Sequence, residues 1–164
     1  MGLIIRSSAI HAAGCYTTTA IRKDARVAEY TGPLLTRDEA DARYKNSPIT
    51  YLFGLGQGDM VIDGRSMAMF INHSCDPNCE TVEEDGRIWI MAIRAIAADE
   101  EITYDYCLYD SAGEDEAICN CGAKNCRGTM YSEDEIKRRK AASKKAALKA
   151  QETEKKKDAK RKDM

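Results

Sequence analysis

This chain lacks any apolar run approaching the roughly 18 residues that a membrane-spanning helix needs. Its opening Met1-Gly-Leu-Ile-Ile-Arg6 is too short for the apolar core of a signal peptide, and Ser7 stands one place late for myristoylation on Gly2. No internal repeat is evident, which argues against a solenoid or propeller. From Ser132 onward there is no aromatic residue, so base stacking is not expected to hold nucleic acid there. These absences leave one domain and a tail in 164 residues, with no membrane association. The expected setting is intracellular: cytoplasm, or nucleus and chromatin in a eukaryotic host.

Cysteine, by contrast, is plentiful. Seven cysteines without an export signal point to a reducing compartment, and seven is an awkward number for disulfides. Three of them form a C-x-C-x4-C pattern, Cys119, Cys121 and Cys126. A closed structural zinc site takes four ligands, so this triad is one short. The candidate for the fourth is Cys75, in the stretch Phe70-Ile-Asn-His-Ser-Cys-Asp-Pro-Asn-Cys79. There an amide, an imidazole and a thiol crowd into a turn stopped by Pro77. Such density on a loop is a site signature. Cys15, Cys79 and Cys107 would then be ordinary thiols.

Charge is unevenly divided. Residues 132–164 hold 13 Lys+Arg against 7 Asp+Glu (+6), leaving 12 against 20 (−8) for the first 131. An acidic body favours a basic partner. Short β-type segments separated by turn residues occur at Leu3–Arg6, Tyr16–Ile21, Arg26–Tyr30, Thr50–Leu55 and Met60–Asp63. Arg87–Ile93 is a nearly continuous apolar run and is expected to be the most buried strand. Thr36-Arg-Asp-Glu39 forms a capping box, with a short helix over Glu39–Lys45. A polar, acidic connection runs from Asp110 to Ala117. Ser132-Glu-Asp-Glu135 is a second capping box, opening a solvated helix expected to fray near Lys155.

Six motifs in order give these residues a family likeness. They are Ile10-His-Ala-Ala-Gly-Cys-Tyr16, Glu29-Tyr-Thr-Gly32, Val61-Ile-Asp63, Asn72–Cys79, Glu101-Ile-Thr-Tyr-Asp-Tyr106 and the triad ending at Cys126. Together they resemble the SET-domain protein lysine methyltransferases over about residues 3 to 131. The resemblance implies a mostly β fold of several small sheets with a C-terminal pseudoknot. It divides the chain into a SET domain (1–110), a post-SET zinc segment (111–131) and a basic helical or disordered tail (132–164).

What the resemblance implies about activity is methyl transfer from S-adenosylmethionine to a lysine of a basic, histone-like protein, mainly mono- or dimethylation. Tyr106 would be the tyrosine closest to the reacting atoms, and Tyr30 would line the lysine channel. Tyr51 and Tyr104 would complete the channel wall, the Tyr104 hydroxyl restricting further methylation. Ala13, Gly14, Cys15 and Tyr16 would approach the cofactor through main-chain atoms, with Asn72 and His73 completing the pocket. Zinc would sit on Cys75, Cys119, Cys121 and Cys126. Two departures stand out: Ala12 replaces a glycine frequent in the family, and Met69 replaces an arginine before Phe70. The rival readings are an inactive SET-like module that binds basic peptides, and weak nucleic-acid contact through the tail. A Cys75–His73 nucleophile pair is disfavoured, since such pairs are usually assembled from distant segments.

Overall fold

In the computed structural model, residues 2–47, 50–56, 58–109 and 117–162 are described, with side chains through 149 and at 151. The acidic connection over 110–116 lies outside the described residues. The described chain groups into two units, one of 1–106 with 118–130, the other of 107–117 with 131–164.

The first unit is mostly β. Strands β1 (Leu3–Ser7) and β2 (Ala13–Thr17) form an antiparallel hairpin, with Arg6 opposite Gly14. The expected strand at Tyr16–Ile21 is therefore displaced toward the N-terminus. The Thr17 hydroxyl donates to the Thr19 carbonyl at 2.6 Å, ending β2, and Ile21 makes only a lone bridge to Ile96. A three-stranded antiparallel sheet follows in the order β4 (Leu34–Thr36), β6 (Met60–Asp63), β5 (Leu52–Gly54).

Helix α1 spans Arg37–Tyr44, two residues ahead of the expected start. Its capping box forms as expected: the Glu39 N–H donates to Thr36 Oγ1 at 3.2 Å, and the Thr36 N–H to Glu39 Oε2 at 2.8 Å. The helix also clamps buried Asp63, to which Tyr44 Oη donates at 2.6 Å and Arg43 Nη1 at 3.0 Å.

The central sheet has the order β3 (Arg26–Tyr30), β9 (Arg87–Ala92), β8 (Cys79–Glu84), β10 (Thr103–Tyr104), β7 (Asn72–His73). Strands β8 and β9 are joined through Asp85 and Gly86 at φ 52° and 70°. Both central residues are left-handed, the geometry that matches strand twist. Strand β9 is buried on one face only. Ile88, Ile90 and Ala92 face the core, whereas Trp89 is flanked by the guanidinium groups of Arg26 (4.4 Å) and Arg87 (4.6 Å). Its apolar run thus serves two faces, one closed by side chains and the other by cation–π contacts.

The core is built on Ile71, Ile88, Ile90, Ile96 and Ile102, all at most 1% exposed. Full burial of such a side chain is worth roughly 2 kcal/mol. Ile71 leads into β7 and Ile102 into β10, so the same packing that holds the core fixes both site strands. Strand β10 lies between β7 and β8, parallel to each, with Tyr104 level with His73 on one side and Cys79 on the other. The Ser74–Asn78 loop spans it. Asn78 Oδ1 accepts the Thr103 N–H at 2.9 Å, and the Ser74 N–H donates to the Tyr104 carbonyl at 3.1 Å. A strand from late in the chain is thus inserted between two that follow one another in sequence.

The second unit is dominated by α2, Glu133–Lys162. Only one arm of the expected second capping box forms: the Glu135 N–H donates to Ser132 Oγ at 3.2 Å. The Glu135 carboxylate instead takes Arg138 and Arg139, both at 2.7 Å, while the Ser132 N–H goes to the Leu108 carbonyl. The helix does not fray near Lys155 but continues to Lys162. Alanine, lysine and glutamate are strong helix formers, and pairs three and four residues apart add to that.

Candidate active site and metal centre

Four tyrosines converge around β10. Tyr104 and Tyr106 lie 4.9 Å apart by ring centroids. Tyr106 is held at both ends: its hydroxyl donates to the Ile71 carbonyl at 2.9 Å and its N–H to His73 Nδ1 at 3.1 Å. The Tyr30 hydroxyl donates to the Tyr51 carbonyl at 3.0 Å, and its ring meets Phe53 at 5.3 Å. Gly64 makes room for that ring, since a Cβ there would come within 2.0 Å of Tyr30 Cε1. Burial raises Tyr30 and Tyr104 well above the usual phenol range. It pushes Tyr106 to about 12, with the Tyr51 phenol adding to the rise. All three are neutral phenols at neutral pH. Among the described residues, nothing bonds the Tyr104 hydroxyl, which leaves it available to an incoming polar group.

Ala13–Tyr16, expected as a turn, lies in strand β2 instead, paired with β1, and is fastened to β7 by a carboxylate. Asn72 Nδ2 donates to the Ala13 carbonyl at 2.9 Å and to Glu101 Oε1 at 2.8 Å. Ser8 Oγ and Tyr16 Oη donate to the same carboxylate at 2.8 and 2.9 Å. A Cβ on Gly14 would lie 2.2 Å from Glu101 Oε1, so glycine is the residue this packing admits. Cys15 points into the core, its thiol raised to about 11 by burial and by the Glu101 charge. Its carbonyl accepts the Ile102 N–H at 2.7 Å. Main-chain pairing therefore already occupies part of the segment assigned to the cofactor. Sequence reading missed Ser8, Phe53 and Glu101, although Glu101 opens the Glu-Ile-Thr-Tyr-Asp-Tyr motif.

His73 has a different posture from its neighbour Asn72. Because Nδ1 accepts an amide proton, the imidazole proton sits on Nε2, which faces Cys75 Sγ at 3.4 Å. Burial keeps the ring neutral. The ring donates to sulfur and has no free lone pair there, so it cannot serve Cys75 as a base.

The four sulfurs of Cys75, Cys119, Cys121 and Cys126 lie within 4.8 Å of one another. Cys75 and Cys126 are 3.8 and 3.7 Å from Cys119. A tetrahedral zinc with sulfur at about 2.3 Å requires sulfurs about 3.8 Å apart, so the set fits this metal. Main-chain N–H groups of Cys75, Arg127 and Gly128 point at Cys121, Cys75 and Cys126 sulfurs, each at 3.4 Å. Such donors favour thiolates. Burial pushes Cys75 and Cys119 up. Cys121 is drawn down to about 6 against its own burial, by N–H donors from Cys75 and Ala123. Thiolates this close repel one another, and a dication among them removes that repulsion. Cys79 is a buried core thiol pushed to about 12, and Cys107 lies in the second unit.

A sequence model of the SET domain matches residues 12–107, more than half of the chain and all of the strands from β2 to β10. The chain belongs to the SET-domain family. Among curated relatives, this SET-domain chain is 40% identical over 134 residues to the histone-lysine N-methyltransferase, H3 lysine-4 specific, of Yarrowia lipolytica. It is 40% identical over 136 residues to the protein of the same name from Saccharomyces cerevisiae. The same identity and length hold for the histone-lysine N-methyltransferase SETD1 of Drosophila melanogaster. Each match covers 75% of this chain but only 12%, 12% and 8% of the respective relative. The SET-domain chain thus spans about a tenth of the length of these proteins.

Proposed function

We propose that this SET domain is a protein-lysine N-methyltransferase using S-adenosylmethionine, with a histone as substrate and lysine-4 of histone H3 as the position to test first. The observation that carries the reading is the pairing of a doubly anchored Tyr106 with the unpartnered Tyr104 hydroxyl 4.9 Å away by ring centroids. S-adenosylmethionine supplies an already activated methyl group on a sulfonium. The protein's work is then alignment, exclusion of water and delivery of a neutral amine.

The tyrosines suit that work. Their rings accept a lysine stem, and a poorly hydrated aromatic channel disfavours the charged ammonium, so the amine loses its proton to water before attack. Tyr106, held by Ile71 and His73, keeps its hydroxyl in place as a neutral phenol. Tyr30 and Tyr51 form the wall joined through the Tyr51 carbonyl. The Tyr104 hydroxyl occupies space near the amine, and mono- to dimethylation follows from that restriction. Asn72 and the Ala13–Tyr16 segment of β2 would hold the cofactor; the His73 ring is committed elsewhere, so its part there falls to the main chain. Zinc would bind Cys75, Cys119, Cys121 and Cys126 and would clasp the 118–130 segment to the Asn72–Cys75 stretch. A histone substrate would place the protein at chromatin. Lysines of the 132–164 tail are candidate self-substrates.

The test is incubation with labelled S-adenosylmethionine, alone and with core histones, beside the Tyr106→Phe variant. Label on a histone lysine that vanishes in Tyr106→Phe is expected, while label on the chain itself would identify the tail as the substrate. Cofactor binding without transfer to any lysine would favour a non-catalytic module that binds basic peptides.

A further inference from the structure

Four acidic residues lie between Asp99 and Asp105, and three are neutralised by arginine. Asp99 pairs with Arg6 at 2.7 Å, Glu100 with Arg94 at 2.7 Å and Asp105 with Arg127 at 2.7 Å. Glu101 is the exception. Its carboxylate accepts from Ser8, Tyr16 and Asn72, all neutral donors, and among the described residues it has no cationic partner. It is also the carboxylate that lies over Gly14, in the β2 segment assigned to the cofactor.

We propose that Glu101 is the counter-charge for the α-ammonium group of S-adenosylmethionine. The proposal rests on the cofactor reading above and adds to it a residue that reading did not use. The surroundings are rich in acceptors: Glu101 Oε1, the Ser8 hydroxyl oxygen and the Ala13 carbonyl converge on Asn72 Nδ2, and Glu101 Oε2 lies beside them, accepting from Ser8 and Tyr16. An ammonium offers three N–H donors to such a place, whereas a sulfonium offers none. That difference selects the amino end of the cofactor over its sulfur. A cationic ligand partly removed from water also requires a nearby opposite charge, or its binding is weakened by desolvation. The three neutral donors keep the carboxylate aimed and hydrogen-bonded until the ligand arrives.

The experiment is calorimetric titration of the wild type, Glu101→Gln and Tyr16→Phe with three ligands. They are S-adenosylmethionine, S-adenosylhomocysteine (ammonium but no sulfonium) and the S-adenosylmethionine analogue lacking its α-amino group. Glu101→Gln keeps the size and much of the hydrogen bonding but removes the charge. It is expected to weaken the two amino-bearing ligands by about tenfold or more and the des-amino analogue by less than about twofold. Tyr16→Phe loosens the latch without altering charge and is expected to affect all three ligands alike.

Equal weakening of all three ligands by Glu101→Gln would reduce the residue to a latch and overturn the proposal. A loss confined to the two sulfonium ligands would place the sulfur there instead and also overturn it. Should Glu101→Gln fail to fold, the wild type alone decides, because equal affinity for the amino and des-amino ligands rules the counter-charge out. Failure of the wild type to bind any of the three would instead refute the cofactor reading.

Discussion

Asp105 and Arg127 face each other in a two-pronged ion pair, Nη2 to Oδ1 at 2.8 Å and Nη1 to Oδ2 at 2.7 Å. One partner lies between Tyr104 and Tyr106, and the other directly follows Cys126. A second thread runs parallel to it, since His73 accepts the Tyr106 N–H on one nitrogen and faces Cys75 sulfur with the other. The cysteine segment and the tyrosines are therefore joined by rigid, charge-assisted geometry as well as by covalent chain.

Arg127→Lys keeps the charge but loses the fork that matches a carboxylate. Methyl transfer should fall about tenfold while bound zinc stays at the wild-type ratio, because no sulfur ligand is touched. Rate and metal content measured on the same preparation check this. Loss of zinc in step with rate would show that Arg127 acts only on the four-cysteine knuckle of Cys75, Cys119, Cys121 and Cys126.

Chelation should release one zinc per chain and abolish transfer, and Cys121→Ser should do the same without chelator. The Cys107→Ser variant should keep its metal, since Cys107 is not among the four clustered cysteines. A metal-sensitive dye follows the release. Full activity of a metal-free sample would remove the knuckle from the working unit.

Gly14→Ala is expected to act through Glu101. The added methyl would lie 2.2 Å from Glu101 Oε1 and 3.0 Å from Ser8 Cβ, so the carboxylate must swing away from Ser8, Asn72 and Tyr16. Stability should drop by only about 1 kcal/mol, since the displaced group is the end of a flexible side chain. Cofactor affinity should drop by more than about tenfold. Calorimetry beside a thermal melt separates the two effects.

Tyr104→Phe removes the unpartnered hydroxyl and should shift products from mono- toward di- and trimethyl-lysine without loss of rate. Mass spectrometry of a histone peptide reads the distribution. Efficient trimethylation by the wild type would contradict the role given to this hydroxyl.

Asp63 ties stability to pH. The Tyr44 hydroxyl, assisted by Arg43 and Arg65, holds its carboxyl below the usual range despite burial. A carboxyl depressed in the folded state stabilises the fold above its unfolded pKa of about 3.9, and that contribution is lost as pH falls through the folded value. Asp63→Asn should cost about 2 kcal/mol at pH 7 and progressively less below about pH 4. Denaturant midpoints at neutral and acid pH provide the comparison. A cost that does not change with pH would mean that the charge plays no part.

Local spacing explains what could be read from the chain. Cys119, Cys121 and Cys126 lie within eight residues, and the Asn72–Cys75 cluster within four, so each group announces itself in one glance along the sequence. Glu101 and Ser8 are 93 residues apart, and no periodicity links a serine in one hairpin to a carboxylate just ahead of β10. Phe53 is a single aromatic without a motif. Strand β8 carries no apolar signal because only Cys79 in it is fully buried, although Asp85-Gly86 marks the hairpin that contains it. The length of α2 is carried by its alanine, lysine and glutamate content, whereas its sparse apolar positions point to a shorter helix.

Trp89 is the only tryptophan in the chain, and it stands on the outer face of β9 between two arginines rather than among the tyrosines. Excited at the red edge of absorption, its fluorescence reports on the central sheet and on little else. A sample stripped of metal can therefore be followed by two signals at once. Unchanged emission with lost activity marks a knuckle that has loosened on an intact sheet, whereas a shifted emission marks a sheet that has come apart.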